Sequence, residues 1–368
     1  MTGDEIDRQL GSDPFHQSDG TLPYLLKLRE RTVRLVADEG QGQGRGQGAS
    51  GRGALGSSAP AVPPDLGPEI PEVPGFEDPD EARSWLDRLA GVALDRASEE
   101  RINLVANVLG AQPYDELGFS PRTTRRALAV FLQLYHYWFR VKSSGHEALP
   151  EKEGAILACN HGGLLPFDGA MTIVDVFLHA NPPRLTRAIV DRWAGTLPFV
   201  NIFYSRVGQV VGTRDNFRRL LRSGQFVLVF PEGMAGIRKK AADRYVLQKF
   251  NVGFVEESIR HRVPIIPMAL IGADDQSPIL YDVKPLAKLL NLPMFPITPT
   301  FPLLGPLGLV PYPVRYEITY GAPIRLYEEF GPDVLEDAHA VRYMAEQVRR
   351  RVQELVDRGV MARRGQQA

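Results

Sequence analysis

Four short apolar runs constrain the fold of this chain more tightly than any other feature: AILAC (155–159), TRAIV (186–190), FVLVF (226–230) and VPIIPMAL (263–270). Each is bounded by polar, Gly or Pro residues. Continuous apolar runs of this length read as strands buried on both faces of a sheet. Between them lie stretches long enough for helices, such as 214–223 and 241–261. This alternation predicts an α/β domain with a mainly parallel sheet flanked by helices. A closing helix is expected from about 332 to 358, where Val341, Met344, Val348, Val352 and Leu355 recur at helical spacing and Gly359 marks the stop.

Upstream, the composition breaks. Residues 39–74 run through EGQGQGRGQGASGRG and then a proline every few residues. Such a segment cannot bury enough apolar surface to offset chain entropy, so it reads as a flexible linker. In the residues before it, the stretch 22–36 reads as a short helix. From Pro79 the pattern turns helical: Asp80 can cap a helix with Trp85, Leu89, Val92 and Ala93 on one face. A second helix is expected over 120–142, with Pro121 suited to its first turn. The expected organisation is a disordered tail and linker (1–78), a helical, membrane-associating segment (79–144), the α/β domain (145–330), and a C-terminal helix and tail (331–368).

With 43 basic and 44 acidic residues the net charge is −1, so a global positive field for nucleic acid is absent. The single cysteine, Cys159, excludes an internal disulfide and a multi-cysteine metal site, which fits a reducing compartment. The N-terminal decapeptide lacks the basic-then-apolar pattern of a secretory signal. No stretch reads as a membrane span. Residues 127–139 are too few and carry Gln133 and His136, against the roughly 20 apolar residues a span needs. Residues 289–314 hold no charge but contain seven prolines, which block a helix. A membrane surface is a different matter. No acidic residue lies between Gly118 and His146, yet Arg122, Arg125, Arg126, Arg140 and Lys142 do, and Leu128, Phe131, Leu132, Tyr135 and Trp138 share a helical face. That is the pattern of an interfacial helix, and equally of a core helix with a solvated basic end.

Ligands in open α/β sheets collect at the carboxyl ends of the strands. After AILAC come Asn160, His161, Gly162 and Gly163, leading to Asp168; after FVLVF come Pro231, Glu232 and Gly233; after VPIIPMAL come Gly272, Asp274 and Asp275. Between the first two, Arg206 and Arg214 flank Gly208 and Gly212. One sheet edge thus receives a histidine, carboxylates and glycine-loosened loops. The other six histidines read as structural.

Taken in order, the blocks NHGGLLPFD (160–168), GQVVGTR (208–214), FPEG (230–233) and VPIIP (263–267) resemble the glycerolipid acyltransferase family, the lysophosphatidic acid and glycerol-3-phosphate acyltransferases. The resemblance covers roughly residues 145–330. One departure stands out: the family's first block usually places four residues between His and Asp, whereas six separate His161 from Asp168. The glycine-led insertion is expected to form a wider turn that still delivers Asp168 to the ring.

The resemblance implies transfer of a fatty acyl group from acyl-CoA or acyl carrier protein to a hydroxyl of a lysophospholipid or related glycerolipid. A histidine, with an ordinary pKa of about 6.5, can take the hydroxyl proton as the thioester is attacked. A carboxylate on its other nitrogen fixes the tautomer. His161 and Asp168 hold these positions. Arg214 would grip the acceptor phosphate, with Arg206 as the fallback, and Gly208, Gly212, Glu232 and Gly233 would complete the acceptor site, Glu232 by holding Arg214 or a glycerol hydroxyl. Backbone N–H groups of Gly162, Gly163 or Gly233 are candidates for the oxyanion. No metal or cofactor is implied beyond the acyl-carrying co-substrate. The Pro-rich stretch 294–313 reads as a wall for the acyl chain or a membrane-dipping loop, and Arg238, Lys239, Lys240, Arg244 and Lys249 as contacts for headgroups or coenzyme A phosphates. The expected setting is cytoplasmic, peripheral on the cytoplasmic membrane face. Two rivals remain. One is a thioesterase or lipase using the pair on water, against which no G-x-S-x-G elbow occurs. The other is a non-catalytic lipid-binding module on the same fold.

Overall fold

The computed structural model describes residues 87–88, 91–107, 114–197 and 199–365. The expected tail and linker (1–78), the helix at 22–36 and the cap at Asp80 lie outside the described residues. The main sheet has seven strands: β1 (Lys142–Ser144), β2 (Ala155–Cys159), β3 (Thr186–Val190), β4 (Val210–Val211), β5 (Phe226–Val229), β6 (Ile265–Ile271) and β9 (Glu317–Tyr320). Their order is β1-β9-β6-β2-β5-β3-β4, and β7 (Tyr281–Asp282) pairs separately with β8 (Pro296–Ile297). From β4 to β6 all neighbours are parallel, with β2 central: Ile156 sits opposite Val227 on β5 and Ile265 on β6. The far edge runs the other way, because β9 is antiparallel to β6 and carries β1 with it.

The apolar runs are strands because the sheet is covered on both sides. Successive side chains of β2 point to opposite faces. Ile156 and Ala158 pack with α4 (Arg214–Arg222), α5 (Gly253–His261) and α6 (Ala338–Gly365), through residues such as Phe217, Val255 and Val348. Ala155, Leu157 and Cys159 pack with α2 (Pro121–Gln133) and α3 (Phe167–His179), through Leu132, Met171 and Val174; a further helix, α1 (Arg96–Asn107), lies outside α2. Each such fully buried aliphatic side chain contributes about 1.5–3 kcal/mol.

Several expectations are corrected. Helix α2 starts as the sequence indicates: Ser120 caps it by accepting the Thr123 N–H, and Pro121 occupies the first turn. It then passes into one π-helical turn, Leu134–Trp138, and ends before β1 instead of running to residue 142. The face offered to a membrane is turned inward. Leu128, Leu132 and Tyr135 are buried, and Phe131 and Trp138 pack against the same core. Its cations are paired: Arg122 and Arg126 with Asp87, both at 2.7 Å, and Arg125 with Glu99. Hydrogen bonds from Arg126 and Arg122 hold the Asp87 carboxyl well below the usual range. The expected helix over 241–261 is helical only at Gly253–His261, apart from a 3-10 turn at Ala241–Asp243. Gly359 does not stop the last helix, which runs from Ala338 to Gly365. A Cβ at Gly359 would lie 2.7 Å from Ile271 Cγ1, so glycine lets α6 settle onto β6. Among the described residues no helix is long and apolar enough to cross a membrane.

The reversed edge is tied to α3 by a buried carboxylate. Asp175 accepts hydrogen bonds from Tyr135 Oη (2.5 Å) and Tyr320 Oη (2.6 Å), and His146 and His179 stand at 3.5 and 3.3 Å. Burial pushes this carboxyl up, but the hydrogen bonds from the histidines, Ser143 and Tyr135 outweigh it and hold it well below the ordinary value. A depressed carboxyl contributes stability that is present above its unfolded pKa, about 3.9, and lost as pH falls through the folded value. Two outcomes are expected in urea unfolding. Tyr320→Phe should cost about 1.5–3 kcal/mol at neutral pH. Asp175→Asn should flatten the wild-type loss of stability below about pH 4.

Candidate active site

Strand β2 delivers the site by ending abruptly. Its last residue, Cys159, is fully buried, and burial pushes its thiol far up, which suits a core residue. The next side chain, Asn160, continues the ladder in place of the backbone: Nδ2 donates to the Leu270 carbonyl (2.9 Å) and Oδ1 accepts the Leu270 N–H (2.7 Å). The main chain is thereby released, and His161 turns off the sheet edge.

Two carboxylates hold His161. Its Nδ1 lies 2.5 Å from Asp168 Oδ2. Asp168 sits in the first turn of α3, where the helix dipole favours an anion, and its oxygens also accept the N–H groups of Gly169 (2.7 Å) and Gly162 (3.2 Å). A carboxylate so placed keeps the proton on Nδ1 and leaves Nε2 with the lone pair. The ring stacks on Phe230, centroids 4.2 Å apart. The backbone is held from the other side, because the His161 N–H donates to Glu232 Oε1 (2.9 Å) while Oε2 accepts the Gln248 N–H (2.7 Å). Burial pushes the Glu232 and Asp274 carboxyls up, and the buried Lys239 ammonium, 3.7 Å from one and 3.3 Å from the other, opposes this.

The six intervening residues form the wider turn, pinned by Gln276. The Gln276 amide fills the space where a Cβ of Gly163 would sit, 1.6 Å from Nε2, and Gly163 has φ +83°, so only glycine fits. Gln276 itself is fixed by the Tyr316 hydroxyl, which donates to Oε1 at 2.7 Å. Neither Gln276 nor Phe230 carried a role in the sequence, and Lys239, grouped there with surface cations, is buried beneath the site.

His161, Asp168, Gly163 and Gly233 line a cavity of about 910 Å³ whose other walls are overwhelmingly apolar, including Leu128 and Phe131 of α2, Phe203, Phe295 and Phe301. That lies within the roughly 300–1,000 Å³ of small-ligand sites. The remaining predicted residues stand apart from this lining. Arg214 opens α4 with its guanidinium 3.4 Å from Glu256. Arg206 lies 3.9 Å over the Tyr114 ring and donates to the Gly118 carbonyl. Gly212 donates to the Val190 carbonyl, and Gly208 packs beside Arg187. Glu232 meets neither Arg214 nor the cavity; it clamps the His161 peptide instead. The basic cluster is likewise divided, with Arg238 donating to the Pro293 carbonyl and Arg244 3.6 Å from Asp275. One group of three side chains suited to a metal ion occurs among the described residues, His146, Asp175 and His179, at the end of α3 remote from Asp168.

His161 thus stands at a strand end, held by a carboxylate and lining an apolar cavity. A sequence model of the family described as Acyltransferase matches residues 140–271. An uncharacterized protein of Mycobacterium tuberculosis is 35% identical over 314 residues, covering 85% of this chain and 80% of that protein. One of Mycobacterium leprae is 37% identical over 257 residues, covering 69% and 70%. The human DGAT1/2-independent enzyme synthesizing storage lipids is 25% identical over 131 residues, covering 36% of this chain and 40% of that enzyme. Among solved structures, the 1-acyl-sn-glycerophosphate (LPA) acyltransferase PlsC of Thermotoga maritima is similar at 17% identity and a TM-score of 0.41, covering 75% of this chain and 88% of that one. The chain belongs to the acyltransferase family, the one its four sequence blocks resemble.

The clamp at Glu232 is open to a direct test. Glu232→Ala leaves the Lys239 ammonium short of a buried counter-charge, and breaking such a pair costs about 3–5 kcal/mol. The expected result is a large fall in thermal stability. Much of it should return when Lys239→Met and Asp274→Asn are added together, so that neither the ammonium nor its second carboxylate is left buried alone.

Proposed function

We propose that this acyltransferase moves a fatty acyl group from acyl-CoA or acyl carrier protein to a hydroxyl of a lysophospholipid or related glycerolipid, by direct transfer with His161 as general base. The observation that carries the reading is the 2.5 Å contact between His161 Nδ1 and Asp168 at the wall of a 910 Å³ apolar cavity. The acceptor oxygen attacks the thioester carbonyl as Nε2 takes its proton, giving a tetrahedral oxyanion and an imidazolium facing Asp168. The intermediate collapses with cleavage of the C–S bond, the imidazolium returns the proton to the departing thiolate, and the products are the ester and the free thiol. Asp168 stays ionised throughout. No metal or cofactor takes part in this scheme.

Of the three oxyanion donors considered, the Gly162 N–H donates to Asp168 and the Gly233 N–H to the Phe230 carbonyl. The Gly163 N–H therefore takes the role in this reading. Gly233 belongs to the substrate wall and Glu232 to the support of His161. The acceptor phosphate is assigned to Arg214, at the loop of Gly208 and Gly212, through exchange of its long 3.4 Å pairing with Glu256; Arg206 is second in line. The working site is the cytoplasmic membrane face, where a lipid acceptor and a water-soluble donor meet. The name of the human relative, which refers to storage lipids, adds neutral acceptors to those worth assaying.

Labelled acyl transfer to a panel of lysophosphatidate, glycerol 3-phosphate and diacylglycerol tests this reading. His161→Ala should lower the rate by on the order of 10²–10⁴ with the fold intact by circular dichroism. Asp168→Ala should cost more than about tenfold, through loss of the correct tautomer. Wild-type turnover in a folded His161→Ala protein would sink the mechanism. Arg214→Ala should lose roughly 1.5–3 kcal/mol in kcat/KM for phosphate-bearing acceptors and little for neutral ones.

A further inference from the structure

Half of the large apolar side chains exposed among the described residues belong to two segments that also line the cavity. Phe199 and Phe203 line the cavity and are 82% and 40% exposed, and Leu292 lines it at 39%. They mark the mouth. Beyond them stand Ile202 on one side and Leu289, Leu303, Leu304 and Leu307 on the other, all more than half exposed. Single exposed leucines are ordinary, but two segments that wall a lipid-sized cavity and also expose several large apolar side chains mark an interaction surface.

Three further observations say what covers it. The segment 289–314 carries no charge and seven prolines, so it has seven fewer backbone donors to desolvate than a proline-free loop of its length. Several of those it has are satisfied within the loop: the N–H of Leu304 donates to Thr300, that of Gly305 to Pro302 and that of Val310 to Leu307. A loop at the headgroup boundary, where water is scarcer, is desolvated at less cost when its backbone groups are already paired. Finally, cations form a collar at the ends of the Pro-rich segment. Lys284 and Lys288 are exposed on the helix that leads into it, Arg238 donates to the Pro293 carbonyl and Arg140 to the Pro313 carbonyl, and no acidic residue occurs from 283 to 316.

We propose that the mouth of the cavity is the membrane-contacting surface: residues 199–203 and 289–310 enter the headgroup boundary of an anionic bilayer, held by Lys284, Lys288, Arg140 and Arg238, and lipid passes from the bilayer into the cavity. The passage of substrate rests on the proposed acyl transfer; the docking does not. Helix α2, whose apolar face is buried and three of whose arginines are paired, is excluded from this role.

Flotation of the full chain with vesicles of phosphatidylcholine and phosphatidylglycerol tests it. Wild type should float, less at high salt because screening weakens the collar. The double variant Leu303→Asp, Leu307→Asp should bind vesicles about tenfold less or worse. Lys284→Glu with Lys288→Glu should remove most of the dependence on phosphatidylglycerol, and Val130→Asp with Tyr137→Ser, on the α2 side, should float like wild type. Transfer to vesicle-borne acceptor should fall with flotation in the leucine variant, while transfer to a short-chain acceptor below its micelle concentration stays near wild type. Undiminished flotation of the leucine variant would overturn the proposal. So would loss of flotation in the α2 variant alone, or a wild type that never floats and dimerises through these leucines. A protein that floats through the rim yet transfers no acyl group to any acceptor would leave the docking standing and remove the proposed reaction.

Discussion

His161 is gripped at two points, and most of the site exists to maintain that grip. Asp168 holds the ring from the first turn of α3, and Glu232 holds the peptide from the end of β5. Both supports depend on β2 lying between β5 and β6, with one face packed on α2 and α3 and the other on α4, α5 and α6. Strip either layer and the strand end, with its histidine, loses its position. The electrostatic load is considerable: Glu232, Asp274 and Lys239 are all buried, and a buried ion pair is weak evidence for stability because desolvation offsets its attraction. Its use here is specificity of placement. Lys239 opposes the burial that pushes the Glu232 carboxyl up, and Glu232 accepts two backbone N–H groups that no apolar side chain could.

The Pro-rich segment resolves a conflict between the inside and the outside of the cavity. Its Phe295 and Phe301 must be apolar to form the wall, and its Leu303 and Leu307 are apolar while facing outward. A helix or strand with both faces apolar would be a core element. A proline-rich coil avoids that outcome, since apart from the two residues of β8 it joins no sheet and it extends no helix. It stays at the rim, with Arg140 and Arg238 donating to carbonyls near its two ends.

How much of this the sequence disclosed depended on whether a signal was local. Strands β2, β3, β5 and β6 were legible because burial on both faces writes a continuous apolar run. Strand β1, Lys-Ser-Ser, has no apolar residue, and β9 has only Ile318 and Tyr320 facing inward, so the reversed edge left no comparable mark. The apolar stripe on α2 was read correctly as a stripe, but periodicity cannot say whether a core or a bilayer covers it. The answer lay in Asp87 and Glu99, dozens of residues away, which pair with its arginines. Lys239 was misread for the same reason: between Arg238 and Lys240 it looks solvated, and only Glu232, earlier in the same segment after β5, and Asp274, brought in by the end of β6, explain a buried ammonium. The His161–Asp168 spacing also needed three dimensions, because the turn closes through Gln276, more than a hundred residues downstream.

A histidine oriented by a carboxylate does not by itself choose between water and a lipid hydroxyl, so the chemistry of transfer over hydrolysis has to come from the surroundings. In the proposed reaction, water is the smaller and far more abundant nucleophile. It loses only if it is kept from the histidine while the alcohol is held there, and well-oriented intramolecular attack gains effective molarities of about 10⁵–10⁸ M. The cavity supplies both conditions. Its largely apolar walls offer water few partners, and the Phe230 ring covers one face of the imidazole. The same dryness strengthens the interaction between the imidazolium and Asp168 at the moment charge develops. A transferase built on this dyad therefore needs its apolar cavity as much as its base, and a cavity that opens among exposed leucines and phenylalanines can stay dry only when something apolar closes its mouth.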